Sequence, residues 1–385
     1  MRLNASCRVW LSSSVLLGCA DAGSGSAGAA DVTLLELPEG PSADALPSAR
    51  EGDQTRPDVP PTDVPPNDLD APAPLTLRVV TFNTGTAIEL AHDGPPDDGF
   101  SSAQAELIDE WFGNGLSWTP FVEATAAWFL LVDPDIVAFQ EIFWPGECPT
   151  IPEDARLGTV CENWKPGDPS VAERLVGPDY AIACHPGKPD KCLAVHHRVG
   201  TLVGCPSGLC LDSLEGYPIT GCGSGVRVAR GVLQPADGGA PITLISFHGS
   251  SGFSEGDLVC RTQQVARVFD DFGDGAPGLV GGRNIVLGDL NTDPGRLADS
   301  DPSAAAWWEQ ANGPDARLRF ISDVGVDAPA TYAGFLNIDH VLSDAFGGGC
   351  TAAGHAEEVP AVMGAVFFDH LPQVCELSET RRLQW

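Results

Sequence analysis

Lysine is almost missing from this chain. Of 21 basic residues in 385, three are lysines: Lys165, Lys188 and Lys191. No basic stripe runs through the sequence, which argues against a protein that grips a nucleic-acid backbone by charge. Acids number 53, so the formal net charge is −32, and anionic lipid gains no general attraction either. There is no CxxC pair of the kind that binds zinc and no Gly-x-Ser-x-Gly nucleophile elbow. The Gly-rich Gly221-Cys222-Gly223-Ser224-Gly225 lacks the Gly-Lys-Ser/Thr that cradles nucleotide phosphates, and reads as a turn. No internal repeat suggests a solenoid. No apolar run reaches the roughly 18 residues of a membrane span.

Cysteine, by contrast, is plentiful at 12, which fits an oxidising compartment if the chain is exported. The N-terminus fits export. Arg2 and Arg8 make a basic start, Val9 to Leu17 is a short apolar segment, and Leu16-Leu17-Gly18-Cys19 resembles a bacterial lipobox. Residues 1–19 are therefore expected to be a lipoprotein-type signal ending at a lipidated Cys19, with ordinary signal-peptidase cleavage as the alternative. Residues 20–74 are rich in Ala, Gly and Ser, then in Pro and Asp, and are expected to be an extended linker. The first segment carries +2 and the second −9, so −25 remains on residues 75–385.

That remainder alternates strands with helices. The strands read from the pattern are Leu77–Phe82, Ile136–Glu141, Tyr180–Ala183, Leu193–Val195, Val226–Leu233, Ile242–Phe247, Ile285–Leu287, Asn337–Leu342 and one from Ala365 to Phe368. Helices are expected over Glu106–Trp111, Phe121–Val132, Arg261–Phe269 and Ala304–Gln310. Six strand ends carry polar residues of one kind: Asn83, Glu141, His248, Asp289 with Asn291, Asp339, and Asp369 with His370. Asp289 and Asn291 are two apart and so expected on one side of a strand-led tip, although an Asx turn explains them equally well. One such residue means little, but six strand ends together describe a site built across the end of a sheet. Carboxylates with an amide oxygen are the ligands a hard cation such as Mg²⁺ takes.

The segments Thr81-Phe82-Asn83, Gln140-Glu141, Ser246-Phe247-His248-Gly249, Gly288-Asp289-Leu290-Asn291, Ile338-Asp339-His340-Val341 and Phe368-Asp369-His370-Leu371-Pro372, in this order, resemble the endonuclease/exonuclease/phosphatase superfamily. The resemblance covers residues 75–385. It implies a single domain of the deoxyribonuclease I-like α/β (α+β) class, a four-layer sandwich of two packed mixed β-sheets flanked by helices. It also implies a Mg²⁺-dependent phosphoesterase, with Mn²⁺ as a substitute. The implied metal ligands are Asn83, Glu141 and Asp369. The implied catalytic residues are His248, Asp289, Asn291, Asp339 and His370. Asp339 would orient His370, Asn291 and His248 would donate to the phosphate, and either Asp289 or His370 would take the proton of the attacking water. Arg230 falls in a strand where relatives often carry a substrate-facing residue.

The implied substrate is a phosphodiester, of nucleic acid or a phospholipid headgroup, or a phosphomonoester. The membrane would be reached through the lipid anchor, and no protein partner is expected. The competing reading is a surface-anchored binding module that keeps the fold without catalysis. Phe143-Trp144 and Trp307-Trp308 are read either as core or as aromatics that dip into a membrane. Pairing the ten downstream cysteines with their neighbours would join Cys148–Cys161, Cys184–Cys192, Cys205–Cys210, Cys222–Cys260 and Cys350–Cys375, a connectivity that spacing alone does not fix.

Overall fold

The computed structural model describes residues 74–86, 93, 100–219, 221–222, 227–362 and 368–380. The expected signal (1–19) lies outside them, as does all but the last residue of the expected linker (20–74). The chain divides into two units at residue 69, and only the second, Asp70–Trp385, holds described residues.

The strands in chain order are β1 (Thr76–Asn83), β2 (Ile136–Gln140), β3 (Tyr180–His185), β4 (Lys188–His196), β5 (Gly200–Leu202), β6 (Gly208–Leu209), β7 (Val228–Pro235), β8 (Ile242–His248), β9 (Asn284–Asp289), β10 (Arg319–Phe320), β11 (Asp339–Ser343), β12 (Phe346–Ala352) and β13 (Gln373–Glu379). The α-helices are α1 (Ser102–Trp111), α2 (Thr119–Val132), α3 (Val171–Val176), α4 (Glu255–Phe269), α5 (Pro294–Leu297) and α6 (Pro302–Asn312). One sheet has the order β12-β13-β1-β2-β4-β3-β6 and the other β10-β11-β9-β8-β7-β5. Both are mixed. β1 runs parallel to β2 and β8 parallel to β9, while the other pairings around them are antiparallel.

Alternation along each strand builds three apolar layers. Leu77 and Val79 of β1, Ile136 and Ala138 of β2, Leu244 of β8, Ile285 and Leu287 of β9 and Val341 of β11 meet between the sheets. Val80, Phe82, Val137 and Phe139 face the other way and pack with residues of α1, α2 and α3. Ile245, Phe247, Val286 and Leu342 pack against α4 and α6. Helices, sheet, sheet and helices thus form the four-layer sandwich.

The local sequence explains most element ends. Ser254 and Asp257 form a reciprocal capping box that starts α4 two turns before Arg261, where apolar periodicity alone placed it. Strand β12 contains Gly347-Gly348-Gly349 and β13 alternates only weakly, so neither is read from the pattern. Of the expected Ala365–Phe368 strand, residues 365–367 lie outside the described residues, and Phe368 forms an isolated bridge to Thr86. The membrane-dipping reading of the aromatics does not hold for Phe143 and Trp307, which are buried, Trp307 completely. Trp307 packs edge-on against Phe247 and Phe269, because α6 turns that face onto the outer side of the second sheet.

All ten downstream cysteines are paired as sequence neighbours: Cys148–Cys161, Cys184–Cys192, Cys205–Cys210, Cys222–Cys260 and Cys350–Cys375. Cys184 faces Cys192 across the β3–β4 hairpin and Cys350 faces Cys375 across β12–β13. Each bridge restricts the unfolded chain and contributes about 2–4 kcal/mol. Five bridges place the folded chain in an oxidising compartment.

Candidate active site

The layer between the sheets changes character along its length. At one end it holds the aliphatic residues just named. At the other, the same alternation carries Thr81 and Asn83 on β1, Gln140 on β2, Ser246 and His248 on β8, Asp289 on β9 and Asp339 on β11. All seven are nearly inaccessible to solvent. Strand pairing sets three of them side by side, since His248 is opposite Asp289 and Asp289 is opposite Asp339.

Asp289 is the hub. Its Oδ2 accepts from Asn83 Nδ2 at 2.9 Å and from Asn291 Nδ2 at 2.7 Å, and its Oδ1 accepts from the Asn291 amide at 2.7 Å. The last bond is an Asx turn. β9 stops at Asp289 and Asn291 takes a left-handed φ of 51°, so the turn, and not strand alternation, brings the two side chains together. Burial raises the Asp289 pKa, more than nearby His370 lowers it. His370 Nδ1 pairs with Asp339 Oδ2 at 2.8 Å, and its Nε2 lies 4.0 Å from Asp289 Oδ2. Burial alone would lower the His370 pKa, but Asp339, followed by Asp289 and Asp369, carries it up to about 10. His248 behaves oppositely. Its Nε2 is 3.4 Å from Glu141 Oε1 and 3.6 Å from Asp289 Oδ2, and neither ring nitrogen has a hydrogen-bond partner. Burial, then the positive charges of Lys191, Arg227 and His370, hold its pKa well below the usual value, so it is neutral.

Glu141 needs a special backbone to join this group. It follows inward-facing Gln140, so continued alternation would send it to the helix side. Instead it adopts a φ of 58°, and Asn114 Nδ2 donates to its carbonyl oxygen. Its side chain is 46% exposed yet hemmed in by protein on the remaining sides, and that burial raises its pKa. Of five non-glycine residues with positive φ among the described residues, Glu141, Asn291 and Ala333 stand at or beside this site.

Gly85 shows how the oxygens converge. A β-carbon there would lie 2.8 Å from Asp369 Oδ1, 3.0 Å from Glu141 Oε2 and 3.3 Å from Asn83 Oδ1. One small point is therefore surrounded by two carboxylate oxygens and an amide oxygen, and only the amide oxygen already accepts a bond from the Gly85 N–H, at 3.0 Å, which leaves it a second lone pair. Asp369 Oδ1 is buried without a partner, which in an acidic cradle fits a hard divalent cation. Asp289, Asp339 and His370 also bring one ligand atom each within 4.8 Å of one another. There, however, His370 Nδ1 already pairs with Asp339, and three N–H donors occupy the Asp289 oxygens, so this is a hydrogen-bonded acid–base cluster and not an ion cage.

All eight residues singled out in the sequence thus meet at one end of the sandwich. Arg230 does not join them. It alternates with Ala229 and Gly231 and faces outward, where it pairs with Asp212 and donates to the Pro277 carbonyl at 2.8 Å. Three supporting residues escaped the sequence reading. Arg261, fully buried on α4, donates to Ser303 Oγ (2.8 Å), the carbonyls of Ser250 (2.5 Å) and Gly252 (3.0 Å), and Asp301 Oδ2 (2.7 Å). Asp301 in turn accepts from Thr292 Oγ1 at 2.6 Å. This clip ties the loop leaving His248 to the loop leaving Asn291. Lys191 on β4 is 3% exposed and pairs with Asp190 at 2.6 Å. Tyr332 lays its ring 4.7 Å from the His370 ring. Their common sequence signal is weak: a charged or aromatic residue with no motif around it.

Solved structures with a similar fold include an endonuclease/exonuclease/phosphatase from Bacteroides vulgatus, 14% identical, covering 80% of this chain and 100% of that one at a TM-score of 0.45. An endonuclease/exonuclease/phosphatase family protein from Bacteroides thetaiotaomicron is 16% identical, with coverage of 80% and 99% and a TM-score of 0.43. The human Nocturnin catalytic domain with bound sulfate is 16% identical, with coverage of 80% and 94% and a TM-score of 0.45. No family model matches the chain, and no curated protein does.

Proposed function

We propose that the chain is a Mg²⁺-dependent phosphoesterase of the endonuclease/exonuclease/phosphatase type, acting on a phosphodiester or phosphomonoester outside the cytoplasm. The observation that carries this reading is the oxygen cradle beside Gly85, next to the Asp289, Asp339 and His370 cluster. Asn83, Glu141 and Asp369 would hold the ion. When bound, Mg²⁺, or Mn²⁺ in its place, supplies charge neutralisation at the phosphate.

The protein's own groups divide the remaining work. Asp289 orients the attacking water and takes its proton, since its raised pKa makes it a better base than an ordinary carboxylate. His370 is already protonated, held so by Asp339, and offers Nε2–H to the negative charge growing on phosphate oxygen. Of the two candidates for the base, Asp289 is therefore the one proposed. His248, neutral and with free ring nitrogens, donates a hydrogen bond to a second phosphate oxygen. Asn291 holds Asp289 in place: its Nδ2 donates to Asp289 Oδ2 and, at 3.1 Å, to the Gly249 carbonyl, so it reaches a phosphate oxygen only by releasing that carbonyl.

The inactive binding module is the weaker reading. Asp339 Oδ1 and Asp369 Oδ1 are buried with no partner, and Glu141 and Asn291 hold left-handed backbones. Such features cost stability and are kept where chemistry uses them. The substrate is proposed to be a nucleic-acid or phospholipid-headgroup ester, with no protein partner.

Hydrolysis of a chromogenic bis-phosphodiester with and without Mg²⁺ tests the reaction. Gly85→Ala tests the cradle, because the added methyl would sit among the three oxygens. The expected result is Mg²⁺ affinity, read by calorimetry, weaker by roughly 10–100-fold, with the thermal midpoint little changed. Unchanged affinity would place the ion elsewhere.

Anchoring at Cys19 is a second part of the proposal, supported by the Leu16-Leu17-Gly18-Cys19 pattern. Cys19→Ala should move the protein from the membrane fraction to the soluble one. A mature N-terminus mapped to another residue would exclude the anchor.

A further inference from the structure

We propose that the hairpin finger Tyr332–Phe335 is the wall that holds the organic group of the substrate, and that this group is an apolar ring or chain esterified to the phosphorus. The inference rests on the phosphoesterase reading and narrows its substrate class.

The finger is built rigidly onto the site. The Thr331 and Tyr332 amides donate to the Leu336 carbonyl at 2.8 and 2.9 Å, and left-handed Ala333 and Gly334 close the turn. Ala333 N donates to the Asp369 carbonyl at 2.9 Å and Leu371 N to the Thr331 carbonyl at 2.7 Å. Thr331 Oγ1 accepts from the amides of Ile338 (3.0 Å) and Asp339 (3.1 Å). The finger is thus pinned to both segments that carry Asp339, Asp369 and His370.

Its rings form a ladder out of the site. Tyr332 stands 4.7 Å from the His370 ring, and Phe335 packs edge-on against Tyr332 at 6.0 Å. Phe335 is 61% exposed at the outer end. A single exposed Phe needs no explanation, but one at the end of a ring stack that starts on His370 offers an apolar face continuous with the reacting centre. Burial, then the charges of Asp369, Asp289 and Glu141, raise the Tyr332 pKa. The loop leaving His248 carries another outward ring, Phe253, 71% exposed. A long polyanion has little to hold it in a chain of net charge −32 with three lysines, whereas a ring or chain beside one phosphate can lie on Tyr332 and Phe335.

Calorimetry with methyl-, hexyl- and phenylphosphonate in Mg²⁺ tests the wall without turnover. The intact protein should bind hexyl- or phenylphosphonate about tenfold tighter than methylphosphonate, about 1.4 kcal/mol. Phe335→Ala should remove that preference while methylphosphonate affinity changes less than about twofold. Phe335→Leu should retain a preference for the chain and lose one for the ring, which tells the two sources of apolar contact apart. Equal affinities in the intact protein, or a preference that survives Phe335→Ala, would overturn the wall and leave the phosphoesterase reading standing. Failure of all three to bind, in a protein that hydrolyses no phosphoester, overturns both.

Discussion

His370→Ala and Asp289→Ala are expected to lower turnover by roughly 10² or more while the protein stays folded, the loss that follows removal of a positioned acid or base. The two residues face one another at 4.0 Å. Asp289 collects the amides of Asn83 and Asn291, and His370 occupies Asp339. Asp339→Asn should cost less, because it leaves a hydrogen-bond acceptor for His370 and removes only the charge that keeps it protonated. Glu141→Gln should weaken the ion's cradle, and excess Mg²⁺ should restore part of the rate. The check is kcat on a substrate that the unaltered protein hydrolyses, with circular dichroism as the control for folding. Wild-type kcat in both His370→Ala and Asp289→Ala would put the reaction at some other place on the molecule.

How these residues could be found in advance differs from one to the next. Asp289 and His248 end mainly apolar strands, so the pattern located them, whereas Asp339 lies in a strand with polar residues inside it and is marked only by the ordered set of segments. Asn83 likewise ends β1 in phase with Leu77 and Val79. Glu141 was found by its neighbours and its resemblance, yet its geometry was not legible, since it depends on a left-handed residue that no propensity predicts. Arg261, Lys191 and Tyr332 were not legible for another reason. Each works through partners far away in sequence: Ser250 and Asp301 for Arg261, Glu141 and His248 electrostatically for Lys191, and His370 for Tyr332. Strands β12 and β13 were hidden because three glycines interrupt one and a weak alternation marks the other. The cysteine pairing could be read because the bridges join neighbours, two of them across hairpins.

Arg261→Met should destabilise the protein by about 3–5 kcal/mol, the cost of leaving the buried Asp301 charge without its partner. Arg261 is fully inaccessible and the Asp301 side chain is 5% exposed, so solvent cannot take over. Replacing both, with Arg261→Met and Asp301→Leu, should recover much of that loss, because no lone charge then remains. Acid should act through the same pair. Burial raises the Asp301 pKa, but hydrogen bonds from Thr292 and Ser303 and the charge of Arg261 outweigh it, and the net shift is downward. The clip's contribution is therefore complete above the ordinary Asp value near 4 and is lost as pH falls through the lower folded value. Denaturant midpoints measured against pH would show this, and the Arg261→Met variant should lose only the share of the acid dependence that Arg261 supplies, since the bonds from Thr292 and Ser303 remain. A loss below about 1 kcal/mol would mean that water reaches the pair.

The pairing of His248 with Asp289 and of Asp289 with Asp339 has a consequence for how molecules of this protein can be counted. Three groups from three strands meet only if both ladders zip up in the correct phase, and a shift of one residue in either ladder turns its side chains to the opposite face. A chain refolded with a slipped ladder would therefore be compact and catalytically silent. Titration with a tight inhibitor after refolding would then report the yield of correctly zipped molecules directly, where spectroscopic signals report the sum of both.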